Sequence, residues 1–136
     1  MLYEPPVTTP FLCVVLAFAL IYLPRIFAAV AQTKMPGGMD NKHPRDQQAQ
    51  LTGWGKRAAG AHLNGFEAFA PFAAAVIIAH LAHANAVWSV NLAVLFLVAR
   101  AIYIALYIGN IDKLRTVVWL LGFGLTIALF LLPYWG

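Results

Sequence analysis

Between Lys56 and His80 the chain reads KRAAGAHLNGFEAFAPFAAAVIIAH, an apolar segment entered through Arg57, Asn64 and Glu67. On a helix turning about 100° per residue, Arg57 and Asn64 stand nearly above one another, and Glu67 lies about 60° round from Asn64. His62 falls on roughly the opposite side, outside this polar stripe. A second stretch, RAIYIALY, sets Arg100, Tyr103 and Tyr107 at i, i+3 and i+7, again within about 60° of one another. Arg100 lies well inside an apolar run, where an ionised side chain costs at least ~2.5–3.5 kcal/mol on insertion scales, so it must face something polar.

With Arg115 on a further segment, three guanidinium groups stand against the single carboxylate of Glu67. That surplus suits a small zwitterionic anion: guanidiniums grip more than one carboxylate, and Glu67 accepts from an ammonium. Simpler readings stand beside it. Arg100 and Glu67 would form a structural ion pair, Arg57 and Arg115 would snorkel to the membrane interface, and Tyr103 and Tyr107 would pack helices or anchor at that interface. His43, His62, His80 and His83 lack metal-ligand spacing, and no acid accompanies the His80/His83 pair, so no metal site is expected. There is no Ser-His-Asp arrangement, no glycine-rich phosphate loop beside a strand, and no relay of buried acids.

The elements that must position these residues are set by composition. Of 136 residues, 62% are hydrophobic and 10% charged, against roughly 25% charged in soluble domains. Four apolar runs, about 9–31, 58–82, 87–108 and 117–134, each approach or exceed the ~20 residues that cross a hydrocarbon core. They predict an all-α integral membrane protein, with one membrane domain over residues 1–136. The first run follows Glu4 and two prolines rather than a basic region, and its apolar core exceeds the ~7–15 residues of a signal peptide, so it reads as a retained span. Cys13, the only cysteine, offers neither a disulfide nor a multi-cysteine metal site.

Net charge is +4, and its distribution argues for topology rather than nucleic acid. Lys34, Lys42, Arg45, Lys56 and Arg57 flank the first connection and Lys113 and Arg115 the third, whereas His83 to Ala86 has no Lys or Arg. The positive-inside rule then puts the first and third connections in the cytoplasm and both termini opposite. Pro-Gly-Gly and His-Pro steps make the segment from Lys34 to Lys56 a loop, HANA makes a tight turn, and short connections favour an up-down-up-down four-helix bundle. Pro24 and Pro71 predict kinks, and Trp54, Trp88, Trp119, Tyr134 and Trp135 read as interface anchors. In such a bundle Arg57, Asn64, Glu67, Arg100, Tyr103, Tyr107 and Arg115 share one level.

RAAGAHLNGFEAFAPF, then ARAIYIALY, then LRTVVW, in a four-span chain of this length, resembles the MAPEG family, the membrane-associated proteins of eicosanoid and glutathione metabolism, here as a bacterial-type member. The resemblance covers about Arg57 to Trp119, with the first span alike in character only. It implies a homotrimer in the bacterial inner membrane, with glutathione as co-substrate between subunits near the cytoplasmic face. It implies further that Arg57, Asn64, Glu67, Arg100, Tyr103 and Tyr107 hold the tripeptide, Arg57 being a stand-in one turn further out. Arg115, allowing one inserted residue, would match the arginine that holds the thiolate, with Thr116 where some members have serine. A free thiol, pKa about 8.5, is only slightly ionised at neutral pH, and an adjacent guanidinium favours the nucleophile. The activity implied is that of a glutathione-dependent transferase or peroxidase acting on a lipophilic electrophile or lipid. The alternative is a non-catalytic trimer of the same fold that binds a lipid or anion. Three positions depart from the family pattern: Gly60 where several members have arginine, Ala68 where leukotriene-C synthase has tyrosine, and Trp119 where prostaglandin E synthase has tyrosine.

Overall fold

The computed structural model describes residues 8–135, which leaves the Glu4-Pro5-Pro6 flank outside. Five helices follow in order: α1 (Thr9–Thr33), α2 (Pro44–Ala49), α3 (Gly53–Leu81), α4 (Ala86–Ile108) and α5 (Asp112–Trp135). No strand occurs among the described residues. All but α2 are long and apolar enough to cross a membrane. Their outward faces carry large apolar side chains, Val15 and Ile26 on α1 and Val117, Leu121 and Phe123 on α5 among them. Helices that are apolar on inner and outer faces alike suit lipid on the outside.

Two spans extend beyond their apolar runs. Backbone hydrogen bonding does not stop where hydropathy drops, so α3 starts at Gly53 and α5 at Asp112, each more than a turn ahead of the expected start. The segment from Lys34 to Lys56, expected as loop throughout, holds α2 and the first residues of α3. Pro44 causes the difference: at a helix start it has no N–H to waste and its φ is already helical. Asp46 in the first turn complements the helix dipole.

A buried glutamine pair ties this segment to α1. Gln32 is fully buried. Its Oε1 accepts from Arg25 Nη1 at 3.1 Å, and its Nε2 donates to the Pro44 carbonyl at 2.9 Å and to Gln47 Oε1 at 3.2 Å. Gln47 Oε1 also accepts from the Asp40 backbone N–H at 2.9 Å, while its Nε2 donates to the Gly38 carbonyl at 2.8 Å. Buried amides with every group engaged stabilise one loop conformation rather than many.

The turns after α3 and α4 are alike. His83 (φ 53°) and Asn110 (φ 62°) adopt the left-handed conformation, and the next residue's N–H reaches back five residues, Ala84 to Ala79 and Ile111 to Leu106, both at 2.9 Å. These bonds satisfy carbonyls that a helix end leaves open. Close approach shapes the rest. A Cβ on Gly65 would stand 3.2 Å from the Ile21 Cα, so glycine lets α3 lie against α1. Phe72 and Phe96 stack at 3.9 Å with 10° between rings, joining α3 to α4 in a core completed by Cys13, Ala17, Val76, Leu129 and Leu132. Both α3 and α4 touch every other span, so side chains between them are the best shielded in the bundle.

Candidate functional site

The polar stripe of α3 meets Arg100 of α4 inside the bundle. Arg100 is only 6% exposed. Its Nη1 donates to Asn64 Oδ1 at 2.9 Å, and Asn64 Nδ2 donates to Glu67 Oε2 at 3.1 Å. Guanidinium only donates and carboxylate only accepts, so the amide must face both as found. Arg100 and Glu67 are thus joined through Asn64 rather than by the direct ion pair of the simpler reading. Arg100 Nη2 is buried and has no protein partner. A buried unsatisfied charged donor is costly, typically more than the ~1–3 kcal/mol of a neutral group, and marks a place where a ligand or water is accommodated.

Such a place adjoins it. A cavity of about 150 Å³ is bordered at its polar end by Asn64, Glu67 and Arg100, and elsewhere by Ala68, Pro71, Phe96, Trp119, Gly122, Phe123 and Thr126. Glu67 is exposed where it borders this space. Gly122 is buried, and a Cβ there would meet nothing within 4 Å, so part of the volume exists because that position has no side chain. Trp119 and Phe123 stack at 5.4 Å, with 4° between their rings, to make the apolar wall.

Trp119 therefore lines the cavity while remaining partly exposed. It begins a face, Trp119, Gly122, Phe123 and Thr126, at i, i+3, i+4 and i+7. That spacing was available in the sequence. None of these residues carries a charge, so the spacing alone does not mark a site.

The other expected residues form a separate array. The Arg100 guanidinium lies 4.3 Å over the Tyr103 ring, and the buried Tyr103 meets Tyr107 edge-on at 5.7 Å and 84°. The Arg115 guanidinium lies 4.4 Å over the Tyr107 ring. None of Tyr103, Tyr107 and Arg115 borders the cavity. Arg57 is tied elsewhere, its Nε donating to the Ile108 carbonyl at 3.0 Å, where it closes the end of α4 onto α3. Seven residues are about two turns, or ~10 Å of rise. Arg57 thus shares Asn64's stripe without reaching its level. Thr116 is exposed, and its hydroxyl donates to the Asp112 carbonyl at 3.1 Å.

His62 stands apart from the stripe, as its angle on the helix required. Its Nδ1–H donates to the Ile21 carbonyl at 2.6 Å, with Tyr22 and Phe66 against the ring. It borders a second, wider groove of about 740 Å³ with Arg25, Arg45, Lys56 and Tyr107. Only the folding of α2 against α1 assembles that groove, so no local sequence pattern announces it.

Comparison with known families matches residues 9–135 to the model described as the MAPEG family. Neither the curated proteins nor the solved structures compared with the chain give a match.

Proposed function

Since the chain belongs to the MAPEG family, we propose that it is a membrane glutathione-dependent transferase or peroxidase whose cavity receives the γ-glutamyl end of glutathione. The observation that carries this reading is the buried, unpartnered Nη2 of Arg100, a residue that borders one cavity together with Asn64 and Glu67. The carboxylate of the ligand takes the free guanidinium donor, its ammonium takes Glu67, and Asn64 fixes both in register. The cavity has the dimensions of an amino-acid head rather than of a tripeptide. The cysteinyl part extends toward Arg115, whose charge holds the thiolate, and the electrophile arrives from the bilayer.

The same proposal includes an up-and-down homotrimer, the α1–α3 and α4–α5 connections facing the cytoplasm, and a neighbouring copy closing the open side of each site. The order of contacts supports the up-and-down course, with Phe11 against His80 but Ile21 against His62, and Phe72 against Phe96 but Arg57 against Ile108. In transfer, the thiolate sulfur forms a bond to the electrophilic carbon as the bond to the leaving group breaks, and that group departs with the bonding pair. In peroxide reduction, sulfur attacks one peroxide oxygen and the O–O bond breaks, giving an alcohol and glutathione sulfenic acid, which a second glutathione converts to the disulfide and water.

The test is glutathione titration of the purified protein, followed by the ultraviolet absorbance of the bound thiolate. A saturable thiolate signal at neutral pH that Glu67→Gln weakens and Arg115→Ala shifts to higher pH supports the proposal. No binding at millimolar glutathione overturns it. A second reading, a non-catalytic lipid- or anion-binding trimer, is favoured by one feature, the absence of Arg115 from the cavity wall. It predicts binding without any thiolate band.

A further inference from the structure

Arg115 stands one turn into α5 and is half-buried, and a guanidinium on a long stem there has many rotamers to choose from. Its position is nevertheless defined, 4.4 Å over the face of Tyr107. Cation and ring attract through the ring quadrupole, which selects that rotamer from the set. The question is then what holds the ring.

Three contacts do. The edge-on contact with Tyr103, at 5.7 Å and 84°, props one side, and Tyr103 is itself buried beneath the Arg100 guanidinium. Arg57, donating to the Ile108 carbonyl at 3.0 Å, fixes the backbone of the residue after Tyr107. The third contact is the tightest. The Tyr107 hydroxyl lies in the space that a side chain at position 60 would occupy, so that a Cβ on Gly60 would overlap it and stand 2.8 Å from the ring carbon bearing it. The ring reaches this seat because position 60 is glycine. Arginine at that position, the residue several members carry, is incompatible with Tyr107 as it stands.

From this packing we propose that Tyr107 is the positioning residue for Arg115, with its ring as the platform and Gly60 as the vacancy that seats it. The inference rests on the glutathione reading above, because its consequence is the orientation of the guanidinium toward a thiolate. Tyr107 acts here through Arg115 and not by touching the sulfur.

The test is a double-mutant cycle read by the apparent pKa of protein-bound glutathione, obtained from thiolate absorbance against pH. Tyr107→Leu alone is expected to lower the thiolate fraction at neutral pH by roughly two- to fivefold, the scale of one exposed cation–π contact. In an Arg115→Ala background the same change is expected to do nothing further. The conservative Tyr107→Phe keeps the face and recovers most of the loss. Gly60→Ala is expected to resemble Tyr107→Leu, and adding Tyr107→Phe to it restores part of the signal by removing the clashing hydroxyl. If Tyr107→Leu lowers the fraction equally with and without Arg115, or if Gly60→Ala leaves it unchanged, the positioning role is wrong while the glutathione reading stands. If the unaltered protein forms no thiolate at all, the glutathione reading fails first and takes this inference with it.

Discussion

Among the described residues, two polar networks are built round buried side chains, and they are finished to different degrees. In the glutamine cluster that ties the first connection to α1, the side-chain carbonyl and amide of Gln32 and of Gln47 all find protein partners. In the cluster between α3 and α4, Arg100 spends Nη1 on Asn64 and leaves Nη2 buried without a protein partner, and the residue borders a cavity. A closed network stabilises a conformation; an open one at a cavity leaves a donor that a ligand or water can take. The difference separates structure from function more sharply than residue type does, since both clusters join an arginine to an amide side chain.

The largest effect should come from removing the open donor. Arg100→Met deletes the guanidinium but keeps most of the volume, and glutathione affinity is expected to fall at least roughly a hundredfold, the scale for losing one partner of a shielded charge contact. Melting temperature should change little, because losing the unsatisfied buried donor offsets the lost bond to Asn64 and the lost contact with Tyr103. Titration and thermal melting of the same sample check both halves. A protein that melts much earlier with unchanged affinity would make Arg100 a structural residue after all.

Gln32→Leu is the mirror experiment. It strands the Gln47 amide oxygen from one donor, frees Arg25 and opens the Pro44 carbonyl, so a loss of roughly 1–3 kcal/mol in stability is expected. Glutathione affinity at the α3–α4 cavity should stay within about twofold of the unaltered protein if the cavity's polar end is independent of this network. Hydrogen exchange over 34–52 should rise alongside, since this pair is what anchors the segment. Loss of affinity without loss of protection would reverse the assignment of the two clusters.

How far these clusters could be read in the sequence follows from where their signals lie. Asn64, Glu67 and Arg100 are polar residues at helical spacing in apolar segments, so one period and one cost argument suffice to find them. Angle alone overreaches, however. It groups Arg57 and Asn64 because they share a stripe, although the rise between them carries Arg57 to the end of α4 instead. Gln32 and Gln47 depend on α2, and Pro44 reads equally well as a loop signal or a helix start until the chain is folded. The cavity's far wall offers the sequence a helical spacing but no sign of the space it encloses. Empty space at Gly122 is a property of packing, and glycine in a transmembrane helix has many causes.

That wall supplies a smaller test. Gly122→Leu places a side chain where nothing now stands within 4 Å of the Cβ, and should fill the apolar part of the cavity without straining α5. A fall in glutathione affinity of roughly tenfold with a melting temperature equal to or above the original is expected, since the lost room is ligand room and the added contacts are apolar. Equal affinity would mean that the ligand enters by the Glu67 mouth and stops short of α5.

The smallest effect should come from Thr116, and it sharpens the contrast most directly because its hydroxyl is a polar group already in use. It donates to the Asp112 carbonyl at 3.1 Å, the local back-bond that threonine makes to a carbonyl four residues earlier in a helix. A hydroxyl so engaged has no proton to offer a thiolate without first giving up that bond, whereas Arg100 Nη2 has no protein partner to give up. Thr116→Val, which keeps the shape and deletes the donor, should therefore change turnover with a generic aryl halide by no more than about twofold, well below the effect of losing an oriented hydrogen bond to a developing charge. A loss beyond about tenfold would mean that the hydroxyl swings off Asp112 in the working state. Engagement within the resting protein would then no longer distinguish structural polar groups from functional ones at this end of the bundle.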